Sequence, residues 1–127
     1  MISFYDIKEL IDENHICKIQ MPRKKEILNN YKKFRETLDY EAFEKSIFED
    51  NKSYSIRKND FPYDIEPNIN HYILWIKDES LSIEDIIYSS FKIDKKEDIL
   101  WYRNSPENRS IKNIIHYHIF LLNLIIS

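Results

Sequence analysis

The chain has 127 residues, a net charge of −3, and 32% charged against 43% hydrophobic residues, the balance of one soluble globular domain with its own core. It contains no Gly, which excludes the P-loop, the dinucleotide fingerprint and the Gly-rich kinase loop. Its acidic balance disfavours a nucleic-acid partner, and a single Cys17 excludes an internal disulfide and fits a reducing compartment.

Val is absent and Ala42 is the one alanine, while Ile, Lys and Asn are abundant. That bias points to an AT-rich genome, such as that of a parasite or a large DNA virus. Positions that need a positive φ must fall to Asn or Asp, with Asn14, Asn51, Asn59 and Asn104 as candidates. The first residues, MISFYDIKELIDE, are acidic and amphipathic, unlike a signal peptide. The apolar run at the end of the sequence is too short and too polar to span a bilayer. A cytoplasmic protein without membrane contact is expected.

In chain order, Ser3 can cap a first helix with Asp6 closing the capping box, and Phe4, Ile7, Leu10 and Ile11 form its apolar stripe. His15 to Ile19 is a break. Pro22 is expected to open a second helix that buries Ile27, Leu28, Tyr31, Phe34 and Leu38. Lys24, Lys25, Lys32, Lys33 and Arg35 lie on its other faces. Asp39 caps a third helix with Phe43, Ile47 and Phe48 inward. After Asn51 the period changes: Tyr54 to Lys58 alternates as a strand, and a loop with two prolines leads to a strand from His71 to Lys77. Ser82 caps a short helix through Tyr88, Ile99 to Arg103 is a third strand, and Ser105-Pro106 starts a helical turn ending near Asn113. The run from Ile114 to Ile125 reads as the central strand. This order predicts a single α+β domain over residues 1–127. A helical layer (1–50) packs on a small, mainly antiparallel sheet (51–127).

Three groups could carry chemistry. His116 and His118 share one strand face with Phe120, and two imidazoles side by side can grip a phosphate, bind a metal or move a proton. As metal ligands they need a third donor, with His71, Asp64 and Cys17 as candidates. No C-x-x-C or H-E-x-x-H supports one, so no metal or cofactor is assigned. His71 and Trp75 share a face of their own strand, and the indole can stack on a base or sugar. Trp101, Arg103, Asn104, Arg109 and Ser110 follow, the arginines suited to bidentate phosphate contact.

The set Asp60-Phe61-Pro62-Tyr63, His71-Tyr72-Ile73-Leu74-Trp75, Trp101, Asn104-x-Pro106 with Ser110, and His116-x-His118 resembles the domain of unknown function 3605 family, which includes the fungal N-acetylglucosamine-induced protein. It covers about half of the chain. That name implies a link to amino-sugar response. A fainter likeness is to histidine-triad nucleotide hydrolases and transferases. His71-Tyr72-Ile73-Leu74, Asn104 and His116-x-His118 follow that family's order, and His118 falls at the nucleophile position. Phe120 replaces the third His, and the usual Gly and Gln are missing.

The function that follows is a pocket for a phosphorylated small molecule, a nucleotide or nucleotide-sugar. His116 and His118 would contact phosphate, Trp75 or Trp101 would stack, and Arg103 or Arg109 would add charge. His71, Asn104 and Ser110 complete the ligand set. If the pocket turns over, the reaction would be slow phosphoester or phosphoanhydride cleavage through a covalent intermediate on His118, with His116 shuttling the proton. The rival is a non-enzymatic protein-interaction module of a virus or parasite, its partner surface supplied by the helical half.

Overall fold

The computed structural model describes residues 1–93 and 95–122. Ser3 caps α1 (Phe4–Leu10): its hydroxyl accepts from the Asp6 N–H, and the Asp6 carboxylate accepts from the Ser3 N–H. α2 (Lys25–Glu36) starts three residues later than Pro22, contrary to expectation. The Pro22 carbonyl is taken by the Asp64 N–H at 2.8 Å, and Lys24 is still non-helical, so this stretch runs along the later loop before the helix begins. α3 (Tyr40–Ile47) has the expected cap, Asp39 accepting from the Ala42 N–H.

Five strands form one sheet: β1 (Ile16–Cys17), β2 (Tyr54–Lys58), β3 (Ile69–Ile76), β4 (Ile99–Asn104) and β5 (Ile115–Leu122), in the order β1-β4-β5-β3-β2. Every pairing is antiparallel except β1 with β4. β5 is central, as its unbroken apolar run requires; positions 123–125 of the expected strand lie outside the described residues. β1 occupies what the sequence marks as a break. Its two residues are too few to show an alternation, and it is tied in by Arg103 N–H to His15 O (2.8 Å) and Ser105 N–H to Cys17 O (3.1 Å). After β4 the chain makes only one 3₁₀ turn, Pro106–Asn108, which stops short of Asn113.

With no Gly available, the left-handed positions among the described residues are His15 (φ 55°), Asp50 (φ 61°) and Asn51 (φ 57°). Of the four asparagines expected there, Asn51 alone adopts that conformation.

Helices cover both faces of the sheet, one more layer than the sequence suggests. α4 (Ile83–Ser90), capped by Ser82, packs Ile86 and Ile87 against Leu74, Ile76, Ile99 and Ile119 on one face. Each of the fully buried Ile87 and Ile119 contributes about 1.5–3 kcal/mol of hydrophobic stabilisation. The other face is covered in two parts. Ile7, Cys17 and Met21 meet Tyr63, Tyr102 and Phe120, while Ile47 and Phe48, with Phe34 and Phe43 beside them, meet Trp75 and Ile111. No helix among the described residues is long and apolar enough to cross a membrane.

Candidate functional site

Strand register brings the histidines together. His71 pairs with Phe120, Ile73 with His118 and Trp75 with His116, so His71, Trp75, His116 and His118 project from one face. His118 also pairs with Tyr102 on β4. The Nε2 of His71 lies 2.8 Å from the Nδ1 of His118, and both residues are buried. The Tyr63 backbone N–H points at His71 Nδ1 (3.4 Å), which makes that nitrogen an acceptor and puts the His71 proton on Nε2. His71 therefore donates to His118 Nδ1, and His118 carries its own proton on Nε2. Burial, reinforced by the Arg23 charge, pushes the His71 pKa down to about 3. Burial first, and then the neighbouring His71, holds His118 far below the usual histidine range. Both rings are neutral.

Around this pair Tyr63 and Tyr102 stack on His118 with ring centroids 5.1 and 5.4 Å away, and Phe120 stacks on His71 at 4.5 Å. Asn104, 5% exposed, has Nδ2 3.3 Å from the Tyr63 hydroxyl and 3.4 Å from His118 Nε2, while its Oδ1 meets no donor. A proton on His118 Nε2 calls for an oxygen there. Rotating the carboxamide, whose two ends have the same shape, supplies that oxygen and turns the NH₂ to the orphaned position.

His116 is held differently. Its Nδ1–H donates to the Ile114 carbonyl (3.0 Å), so Nε2 keeps its lone pair, and this is the one hydrogen bond the ring makes among the described residues. The ring lies against Trp75 (4.9 Å) and edge-on to His118 (5.7 Å). Burial keeps it neutral by lowering its pKa.

A cavity of about 270 Å³ opens beside these groups, between the two parts of the helical cover. Trp75, Phe34, Phe43 and Phe61 give it aromatic walls, and His116, His118, Asn104 and Ser110 line it. Its charged lining is three cations, Arg23, Arg57 and Lys58, against one carboxylate, Asp60, in a chain that is negative as a whole. Arg23 is the most fixed of the three. Its guanidinium sits 4.2 Å from the Tyr31 ring centroid and 4.6 Å from that of Tyr63, and Nε donates to the Phe61 carbonyl at 2.7 Å. Among the described residues the one ion pair is Lys45 with Glu41, so no carboxylate engages Arg23.

The structure gathers His116, His118, Trp75, Asn104 and Ser110 at the cavity, with Ser110 bonded to the Tyr31 hydroxyl. His71 stands behind His118 and lines a separate, more open depression with Lys24 and Asp64. Trp101 is not at the cavity: it pairs with Ile119 on the reverse face and stacks on His15 with ring centroids 3.5 Å apart. Arg103 alternates with Tyr102 and so shares the Trp101 side, and Arg109 donates to the Asn104 carbonyl outside the cavity lining. Among the described residues no group of three His, Cys, Asp or Glu donors is placed to hold a metal ion.

Sequence reasoning missed Arg23, Tyr31 and the Phe34–Phe43–Phe61 wall as site residues. Within the run Pro22-Arg23-Lys24-Lys25 nothing marks one cation as special, because its partners are a helix away or in the loop near Phe61.

In solved structures the chain is similar to one described as the crystal structure of HTC1 (TM-score 0.69, 20% identity, covering 98% of this chain and 86% of that one), a likeness of fold. Among curated proteins it is 28% identical over 103 residues to N-acetylglucosamine-induced protein 1 of Candida albicans, covering 67% of this chain and 40% of that protein. It is 25% identical over 91 residues to an uncharacterised protein of Saccharomyces cerevisiae, covering 58% of this chain and 46% of that one. The chain thus spans less than half the length of both curated relatives. The family model described as protein of unknown function (DUF3605) matches residues 35–122, from the end of α2 through β5, and the chain belongs to that family.

Proposed function

We propose that the cavity binds a phosphorylated small molecule, its anionic group on Arg23 and its ring against the aromatic wall. One observation carries this: a guanidinium clamped between Tyr31 and Tyr63, without a carboxylate partner, at the edge of a positive cavity. A fixed Arg with unpaired N–H groups is suited to bidentate contact with phosphate oxygens. Arg57 and Lys58 on β2 add long-range attraction. The name of the Candida albicans relative supports sugar phosphates and nucleotide-sugars as the first compounds to try. The buried thiol of Cys17 suits a reducing cytoplasm.

The rival, a protein-interaction module working through the helical half, has less in its favour. The apolar residues of α2 (Ile27, Leu28, Tyr31 and Phe34) are half-buried or buried, and the His116 surface opens on a cavity where a dry interface would be filled. The deciding experiment is calorimetric titration with phosphorylated ligands of the wild type and of Arg23→Met, which keeps the apolar stem. Binding that weakens at least tenfold in the variant supports the pocket; no binding of any phosphorylated compound at millimolar concentration overturns it.

A further inference from the structure

We infer that the two strand histidines have separate roles: His118 is structural, and His116 Nε2 accepts a hydrogen bond from a ligand hydroxyl, so the ligand is a hydroxylated phosphate of monosaccharide size. This rests on the phosphate-binding reading above and narrows it.

The division follows from where each ring nitrogen is committed. His118 gives Nδ1 to the His71 proton at 2.8 Å and holds its own proton on Nε2, which lies 3.4 Å from both the Tyr63 hydroxyl and the Asn104 amide. It has no lone pair left to offer. His116 has its Nδ1–H fixed on the Ile114 carbonyl, and this bond sets both the tautomer and the ring orientation. The bare Nε2 accepts and cannot donate. A fully ionised phosphate, which only accepts, gains nothing from such a nitrogen; a hydroxyl does.

The rest of the lining agrees. Gln20, Asn59, Asn104 and Asn108 are carboxamides, which both donate and accept, as hydroxyl groups also do. Trp75 and the three phenylalanines offer flat apolar faces for the C–H surface of a sugar ring. A volume of about 270 Å³ is just under the ~300–1,000 Å³ of pockets that hold drug-sized ligands. That matches a hexose phosphate better than a nucleotide-sugar.

The test uses calorimetry on the whole chain with the 6-phosphates of glucose, mannose and N-acetylglucosamine, with adenosine 5′-monophosphate, and with inorganic phosphate. Two variants separate the nitrogens: His116→Asn keeps a donor where Nδ1 stands and deletes Nε2, whereas His116→Gln places an amide near the Nε2 position. The expected result is that at least one hexose phosphate binds the wild type and weakens about three- to tenfold in His116→Asn. Inorganic phosphate should be unchanged, and His116→Gln should recover part of the loss. Thermal unfolding of each variant shows whether it is folded. The inference is overturned if adenosine monophosphate binds in an Arg23-dependent way while no hexose phosphate does. It is equally overturned if folded His116→Asn binds hexose phosphate within twofold of wild type, or loses inorganic phosphate to the same extent. Absence of binding by every compound overturns the phosphate reading itself.

Discussion

His71 and His118, 47 positions apart in sequence, face each other through Nε2 and Nδ1 at 2.8 Å, and both are buried. A single proton lies between them, because the Tyr63 N–H fixes which nitrogen of His71 is the acceptor. A second proton on either ring would put an unpaired charge in the core.

The pair therefore makes stability depend on pH. In the unfolded chain each imidazole titrates near its ordinary value of about 6.5, whereas folded His71 titrates at about 3 and folded His118 is also strongly lowered. Above 6.5 both states are neutral and no penalty exists. As pH falls below 6.5 the unfolded state takes up protons that the native state refuses, so stability declines down to the folded values. Urea unfolding between pH 7.5 and 4.5 should show a loss whose slope approaches about 1.4 kcal/mol per pH unit for each histidine at the acid end. A flat profile would mean that the rings are protonated or exposed in the native state.

Breaking the pair from one side should be worse than removing it. His118→Leu leaves the His71 N–H buried without an acceptor, at a cost of about 1–3 kcal/mol beyond the packing change. The double variant His71→Phe/His118→Leu removes both partners and should lose less than the sum of the single changes. Additive losses in a double-mutant cycle would show that the two rings do not interact.

Cys17 tests the packing of β1. Its thiol is fully buried, with Sγ 3.4 Å from the Ile19 carbonyl, and burial raises its pKa. Both effects suppress the thiolate, so iodoacetamide should label the native chain very slowly and the unfolded chain quickly. Rapid labelling under native conditions would mean that β1 opens independently of the sheet.

The sequence shows the face-sharing of His116, His118 and Phe120 directly, because strand alternation fixes it. The same rule pairs His71 with Trp75. Alternation fixes parity only within a strand. Nothing local says which parity of β4 meets the histidine face: the sequence suggests Trp101 as a wall, whereas the register puts Tyr102 opposite His118. The capping box at Ser3 and the single-bond caps at Asp39 and Ser82 are local hydrogen bonds and are legible for that reason, although Asp85 does not return the bond to the Ser82 N–H that a capping box requires. Pro22 misled because its carbonyl answers to Asp64, 42 positions later. Arg23 was invisible on the same ground: what singles it out is two tyrosine rings and one carbonyl, all supplied by other segments.

That register makes the two tryptophans distinguishable in solution. Trp75 lines the cavity and leans on His116, whereas Trp101 lies on the reverse face against His15 and Tyr117. A bound ligand should therefore change the emission of Trp75 and leave that of Trp101 alone. In Trp101→Phe, which retains Trp75 alone, the ligand-induced fluorescence change should persist with affinity within about twofold of wild type. In Trp75→Phe, which retains Trp101, the signal should vanish. Calorimetric affinity should drop about three- to tenfold there, since an indole gives up part of its stacking surface to the smaller ring. The Phe replacements keep an aromatic ring in each site, so unfolding is not expected to obscure the result. A signal carried by Trp101 would place the ligand on the other face of the sheet.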